Sequence, residues 1–335
     1  MSTNERARVT VFSLGGTIAS TAAGQSAVGG VTSQLGARDL VDAVSQLRDV
    51  ADVTSVSFRQ FASGDLTLSD LIALAHEISS CLDGGATGVV VTQGTDTLEE
   101  AAFALDLLVR RPQPVVVTGA MRNPTLAGPD GPANLLSAVQ VAASPDAVGL
   151  GTLVVLNDEI HAARFVRKTH TSNPSTFQSP TAGALGWMVE GRVRIVFRLS
   201  ELPFLSSVGV GNAIAPVALL TSALGDDSRM IEQVEPLGYA GLVVEGFGGG
   251  HVPARVVPAL EALAARVPVV LTSRAGSGEV LRETYGFAGS ERDLLSRGLI
   301  PGGFLDGPKA RILLSLLLSG DRDRHDVRAV FEQIV

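Results

Sequence analysis

The chain predicts an α/β protein with two α/β domains. The larger, N-terminal one has a mostly parallel sheet with helices on both faces; the C-terminal one is smaller. Three observations predict it. Short β-branched runs take turns with segments of helical spacing through the first half of the chain, which is the pattern of βαβ units. Glycine stands at the ends of those runs, where a strand turns tightly into the next segment. The alternation breaks around 192–214 and resumes from Ala215, which marks two units.

The elements follow in order. Arg8 to Leu14 is strand-like, Ala37 to Leu47 has helical spacing, and Val53 to Phe61 alternates like a strand. "LTLSDLIALAHEISSCL" places Leu66, Leu71, Ile72, Ala75 and Ile78 on one helical face. "GVVVTQGT" reads as a buried strand, "LEEAAFALDLLV" as a helix, "QPVVVTGA" as a strand, "GPANLLSAVQVAA" as a helix and "LGTLVVLND" as a strand. "VRIVFRLSELPFLSSVGVGNAI" keeps no period and contains a proline. It predicts an inter-domain connection with a β-hairpin before it. Beyond it come "PVALLTSAL", "GLVVEGFGGG", "VPALEALAARV" and "PVVLTSRAG", then a terminal helix from Pro308 whose buried middle is "ILLSLLL". The expected organisation is an N-terminal domain over 1–195, a linker over 196–214 and a C-terminal domain over 215–335.

Composition narrows the function classes. With 335 residues, 45% hydrophobic and 18% charged, the chain is globular. A net charge of -8 and no local basic patch argue against nucleic acid or an anionic membrane as partner. The one cysteine, Cys81, cannot form an internal disulfide and reads as a small apolar residue at a helix end. It favours a reducing, cytoplasmic setting. The start shows neither the apolar region nor the cleavage site of a signal peptide, and no apolar run approaches the roughly 20 residues that span a bilayer. The 5 histidines are scattered without metal-binding spacing, so neither a metal nor a cofactor is expected.

Ligands of parallel sheets bind outside the carboxyl ends of the strands. The polar residues expected there are Gly15-Gly16-Thr17, Ser63-Gly64-Asp65, Gly94-Thr95-Asp96-Thr97 and Thr118-Gly119-Ala120. Thr97 and Glu100 have capping-box spacing, which predicts a structural cap. Thr95 and Asp96 precede that helix start, where the dipole favours negative charge. On this stretch alone, two readings weigh equally: active groups, or a turn residue and an alternative cap. A threonine that attacks needs a base, and a partly buried lysine can serve. Lys168 in "RFVRKTHTSNPSTFQSP" is the candidate, although that segment taken alone reads as a solvated basic loop.

Taken together these stretches resemble the bacterial-type L-asparaginase/glutaminase family. "SLGGTIAS" is similar to its first signature and "VVVTQGTDTLEEAAFALDL" to its second. "VVVTGAMRNP", "DGPANLLSAV", "RKTHTSNPSTFQS" and "PKARILLSLLL" follow in matching order across essentially the whole chain. The resemblance implies hydrolysis of L-asparagine to L-aspartate and ammonia, with Thr17 as nucleophile and an acyl-enzyme intermediate. It implies a second triad of Thr95, Lys168 and Asp96. Ser63 would hold the substrate carboxylate, Asp96 its amino group, and the Thr95 N–H and Ala120 carbonyl would flank the scissile amide. Gly15 and Gly16 would let the backbone approach the substrate. The resemblance also implies a homotetramer, a dimer of dimers with sites between subunits. There a neighbour's glutamate, Glu283 by its spacing from Arg274 or else Glu279, would complete each site.

Three positions depart from the family pattern. The loop after Thr17 contains no tyrosine, the only tyrosines being Tyr239 and Tyr285. Gly64 stands where a Gln or Glu usually contacts the substrate amino group, and Gln93 stands in place of the signature histidine. Alternative readings are a glutaminase or transamidation partner, and a catalytically weak amino-acid-binding relative. The absence of a GxGxxG or P-loop pattern near Ser13–Ala19 counts against a nucleotide module.

Overall fold

The computed structural model describes residues 6–16, 18, 20–22, 31–33, 36–200, 205, 211, 213–320 and 324–334. The chain divides into two units, Met1–Glu201 and Leu202–Val335.

The strands of the first unit are β1 (Arg8–Ser13), β2 (Ser20–Ala22), β3 (Val31–Ser33), β4 (Asp52–Ser57), β5 (Gly88–Thr92), β6 (Val115–Thr118), β7 (Thr152–Leu156), β8 (Glu159–Ala162), β9 (Arg167–Lys168), β10 (Phe177–Gln178), β11 (Gly186–Val189) and β12 (Arg192–Ile195). Its helices are α1 (Ala37–Asp42), α2 (Leu47–Val50), α3 (Leu68–Asp83), α4 (Leu98–Leu108) and α5 (Gly131–Ala142). Eight strands form one sheet in the order β12-β11-β8-β7-β6-β5-β1-β4. The five from β4 to β7 are parallel, and β8, β11 and β12 extend the sheet antiparallel.

The antiparallel extension is built by two tight hairpins. Asn157 and Asp158 (φ 52° and 61°) join β7 to β8, and Glu190 and Gly191 (φ 52° and 71°) join β11 to β12. Two central residues with positive φ match the twist of a two-residue hairpin. The second of these is the hairpin expected before the connection; the first, at "LND", is not marked by any glycine.

The continuous valine runs are explained by burial on both faces of the sheet. Val9, Val11, Val90, Val116, Leu153 and Val155 pack with Leu40, Leu47, Leu135 and Val139 of α1, α2 and α5. The alternate residues Phe12, Val89, Val91, Val117 and Val154 are equally buried, and α3 and α4 pack on one another and against the central strands. Each fully buried Val or Leu contributes about 1.5–3 kcal/mol. The helical spacing of Ala37–Leu47 resolves into two short helices rather than one, broken at residues 43–46. The apolar period survives the break, because Leu40, Val44 and Leu47 are all buried.

The second unit is a four-stranded parallel sheet in chain order, β13 (Val217–Thr221), β14 (Gly241–Gly246), β15 (Val269–Ser273) and β16 (Ile300–Pro301). Helices α6 (Arg229–Gln233), α7 (Val257–Ala264) and α8 (Glu291–Ser296) supply Ile231, Leu260 and Leu294 to a core with Leu242, Val244, Val269 and Leu271. Helix α9 (Gly307–Ser319) packs on β13–β15 and is buried along most of its length; α10 (Arg324–Gln333) follows. No helix among the described residues is long and apolar enough to cross a membrane.

Candidate active site

In the parallel part of the first unit, the chain runs from β1 outward to β4, crosses back over β1 to β5, and continues through β6 to β7. The order therefore reverses between β1 and β5, and the crevice outside their carboxyl ends is the expected ligand position. Ser13 of β1 pairs with Thr92 of β5, so the segments Leu14-Gly15-Gly16 and Gln93-Gly94-Thr95 leave the sheet side by side.

They leave it in close contact. Gly16 has φ 88°, and a Cβ built on it would stand 2.1 Å from the Gly94 backbone nitrogen and 2.3 Å from the Gly94 Cα. Glycine is required there twice over, by conformation and by space. Thr17 lies outside the described residues. A third segment joins because the Phe61 N–H donates to the Leu14 carbonyl (3.0 Å), hanging residues 58–61 on the end of β1. Ser63, buried at the start of a single 3-10 turn, then meets the α4 side of the crevice. Its Oγ accepts from the Asp96 N–H (3.3 Å) and its carbonyl accepts from the Thr97 hydroxyl (2.8 Å). Gly64 is exposed, with no described atom within 4 Å of a Cβ placed on it.

The Thr97 contact corrects the capping-box expectation. Thr97 occupies the N-cap position of α4, but its side chain makes no cap hydrogen bond. A capping oxygen accepts from a backbone N–H one turn into the helix; here the side chain is oriented instead by its donation to the Ser63 carbonyl.

Thr95 is buried, whereas the Asp96 side chain is 80% exposed. Between them stands the amine of Lys168, donating to Thr95 Oγ1 at 2.9 Å and to Asp96 Oδ1 at 2.6 Å. Lys168 is not on a solvated loop. It lies on β9, paired antiparallel with β10 through Lys168–Phe177 and Arg167–Gln178, and its side chain is only 17% exposed. Its backbone N–H donates to the Glu99 carboxylate in the first turn of α4. The β10 side of the ribbon is tied to β8: the Gln178 amide donates to Glu159 (3.4 Å), and Ser179 Oγ bonds His161 Nδ1 (3.0 Å). His161 is buried, and that burial holds its pKa below the usual imidazole value against the pull of Glu159.

The loop after β6 closes another side. Gly119 lies against Thr95, since a Cβ on it would stand 3.2 Å from Thr95 Cγ2. The Gly119 carbonyl accepts from Asn134 Nδ2 (3.0 Å), and Asn134 Oδ1 in turn accepts from the Asn157 N–H (3.0 Å). Asp130 accepts from the N–H groups of Met121 and Arg122. Ala120, between these anchors, is buried. Gln93 is fully buried and donates to the Gly94 carbonyl (3.3 Å), while its Oε1 has no hydrogen-bond partner among the described residues.

The first unit thus brings together Gly16, Ser63, Thr95, Asp96 and Lys168, with Gly119–Ala120 beside them and Gly64 on the open side. Glu283 and Glu279 belong to the second unit: Glu283 is exposed, and Glu279 stands 3.5 Å from Arg282. Residue patterns gave no sign of Glu99 or Asn134. An acidic residue in a first helical turn ordinarily signals only the dipole, and an Asn inside a helix carries no site signature.

Chemically, the arrangement offers a hydroxyl with an amine in hydrogen-bond reach and a carboxylate beside that amine. All three stand at the N-terminus of an 11-residue helix, where backbone N–H groups can meet developing negative charge.

Comparison with known proteins identifies the family. Residues 8–200 match the family described as "Asparaginase, N-terminal", and residues 216–331 match the "Glutaminase/Asparaginase C-terminal domain". The chain is 37% identical over 320 residues to an L-asparaginase of Bacillus licheniformis, covering 94% of this chain and 97% of that one. It is 33% identical over 332 residues to L-asparaginase 2 of Escherichia coli, covering 97% and 92%. A crystal structure of a probable cytoplasmic L-asparaginase from Campylobacter jejuni superposes with a TM-score of 0.86 at 31% identity, covering 98% of this chain and all of that one. With both halves matched in order and relatives spanning nearly its full length, the chain belongs to the asparaginase family.

Proposed function

We propose that the protein is an L-asparaginase, an amidohydrolase that converts L-asparagine to L-aspartate and ammonia. The observation that carries the reading is the Lys168 amine, 2.9 Å from the Thr95 hydroxyl and 2.6 Å from Asp96, beyond the carboxyl end of β5. A neutral amine at this distance can take a hydroxyl or water proton, and an ammonium can return one to a leaving group. Thr17 is the nucleophile in this reading. Its chain neighbour Gly16 packs on Gly94, the chain neighbour of Thr95. The Thr17 oxygen adds to the side-chain carbonyl and the C–N bond breaks. The departing nitrogen takes a proton and leaves as ammonia. Water then cleaves the ester to aspartate and free threonine. Ser63 and Asp96 bind the amino-acid end of the substrate, and Ala120 borders the reacting amide.

The reading extends to a cytoplasmic homotetramer, a dimer of dimers in which Glu283 or Glu279 of one copy completes another's site. The single cysteine and the cytoplasmic designation of the Campylobacter relative support the compartment, and light scattering tests the assembly. The deciding experiment is ammonia release from L-asparagine, and in parallel from L-glutamine. The wild type should turn over, Thr17→Ala should not, and Lys168→Met should lose at least about 100-fold in kcat. A wild type that releases no ammonia from either amide refutes the proposal. Full turnover by Thr17→Ala refutes the choice of nucleophile.

A further inference from the structure

We propose that Glu99 is a positioning residue for this chemistry, holding the Lys168 backbone so that the amine reaches Thr95; the inference rests on the amidohydrolase reading above. The amine's own contacts cannot fix it. Its closest partner, Asp96, is 80% exposed, and an ion pair with an exposed carboxylate contributes about 0–1 kcal/mol. A lysine side chain also carries roughly 2 kcal/mol of rotamer entropy. Where the ammonium rests therefore depends on where the main chain of residue 168 is held.

That main chain is held on one side by a short ribbon. The strand β9 is two residues long, and among the described residues it pairs with the equally short β10, the ladder continuing in the Thr169 N–H to the Thr176 carbonyl (2.8 Å). An antiparallel ladder uses alternate N–H groups of each strand. The Lys168 N–H points out of the ribbon, to the Glu99 carboxylate. Glu99 sits in the first turn of α4, where the helix dipole favours its charge. Thr95, Asp96 and Glu99 thus stand within one stretch of five residues, at the start of a helix whose following turns are almost wholly buried. Side chains from that stretch grip both ends of Lys168, Thr95 and Asp96 at the amine and Glu99 at the backbone. The separation of hydroxyl and amine is then set by the helix start, not by the stretch of chain that separates Asp96 from Lys168 by 72 positions.

The test compares Glu99→Ala with Glu99→Gln in the full chain, the glutamine keeping an oxygen that can accept the Lys168 N–H. A displacement of about 1 Å in a catalytic group can cost 100-fold in rate. Glu99→Ala is expected to lower kcat for L-asparagine about 10–100-fold with KM within threefold of wild type. Glu99→Gln is expected to recover kcat to within about threefold of wild type, and the Lys168 amide should exchange hydrogen faster in the alanine variant alone. Thermal melting supplies the folded fraction. The inference is overturned if Glu99→Ala keeps the wild-type kcat, if its loss equals the loss of folded protein, or if the glutamine variant falls as far as the alanine one. Should Lys168→Met be inactive while Glu99→Ala is not, the positioning role alone fails. A wild type without turnover removes both.

Discussion

Replacing Gly16 by alanine tests the central geometry most directly. The added Cβ would lie 2.1 Å from the Gly94 nitrogen, 2.3 Å from the Gly94 Cα and 2.8 Å from the Gln93 carbonyl carbon. All three are backbone atoms, so no side chain can swing aside. At φ 88° a non-glycine residue also bears a conformational cost of roughly 1–2 kcal/mol. Overpacking a tight site adds about 1–3 kcal/mol, so a total of about 2–5 kcal/mol is expected. The strands cannot relieve the overlap without separating, and separation moves Gly94 and Thr95 away from Lys168. The assay is urea unfolding followed by tryptophan fluorescence, with ammonia release measured on the folded fraction. Gly64→Ala is the matched control: no described atom lies within 4 Å of its Cβ, and a change within about 0.5 kcal/mol is expected. If Gly16→Ala unfolds at the wild-type urea concentration and turns over normally, β1 and β5 do not meet as described, and the site built on that meeting falls with them.

Other substitutions probe the surrounding structure. Burial raises Asp106 to about 6, above the roughly 3.9 of an unfolded carboxyl, so folding takes up a proton and stability from this group is lost as pH rises from about 4 to 6, by roughly 3 kcal/mol. Asp106→Asn should keep an acceptor for the Thr152 N–H (2.6 Å) and be more stable than wild type at pH 8 but not at pH 4; equal urea midpoints at both pH values would exclude this. Thr97→Val removes the donor to the Ser63 carbonyl, which should cost about 1 kcal/mol and raise KM for asparagine more than it lowers kcat; an unchanged KM would count against Ser63 as a substrate contact. In the second unit, Asp306 both caps α9 and pairs with the buried Lys309 amine at 2.9 Å, so Asp306→Ala should lose about 3–5 kcal/mol, and calorimetry showing no loss would contradict that pairing.

What could be read from the chain was local. Valine runs buried on both faces announce central parallel strands, and "GGT" and "QGTDT" announce strand ends at which something must happen. Those two motifs end β1 and β5, which lie side by side in the sheet; the sequence predicts that their ends share a rim but does not state that they are neighbours. The illegible parts depend on contacts across long separations. Thr97 and Glu100 have the spacing of a cap, yet the hydroxyl finds the Ser63 carbonyl, 34 residues away. Lys168 sits among polar residues that read as loop, yet a two-residue ribbon and a distant carboxylate remove it from solvent. In both cases a hydrogen-bonding group has several possible partners, and only the fold decides which one it meets.

That distinction explains why the start of α4 carries so much of the site. A helix N-terminus presents N–H groups without helical partners, and here the Asp96 N–H goes to Ser63 while the Thr97 hydroxyl anchors the same turn. The first turn also tolerates carboxylates, which is why Asp96 and Glu99 can flank a lysine without opposing the helix dipole. The buried face of α4, from Leu98 through Leu108, fixes that end against the sheet, so each of these groups inherits its position from the core. Lys168 comes from a two-residue strand tied to the sheet through β10, and it docks on that helix start through both its backbone N–H and its amine. Activity should therefore tolerate change in β9 and β10 side chains that point away from α4 far better than change in the five residues from Thr95 to Glu99, although the latter are the more exposed at their tip.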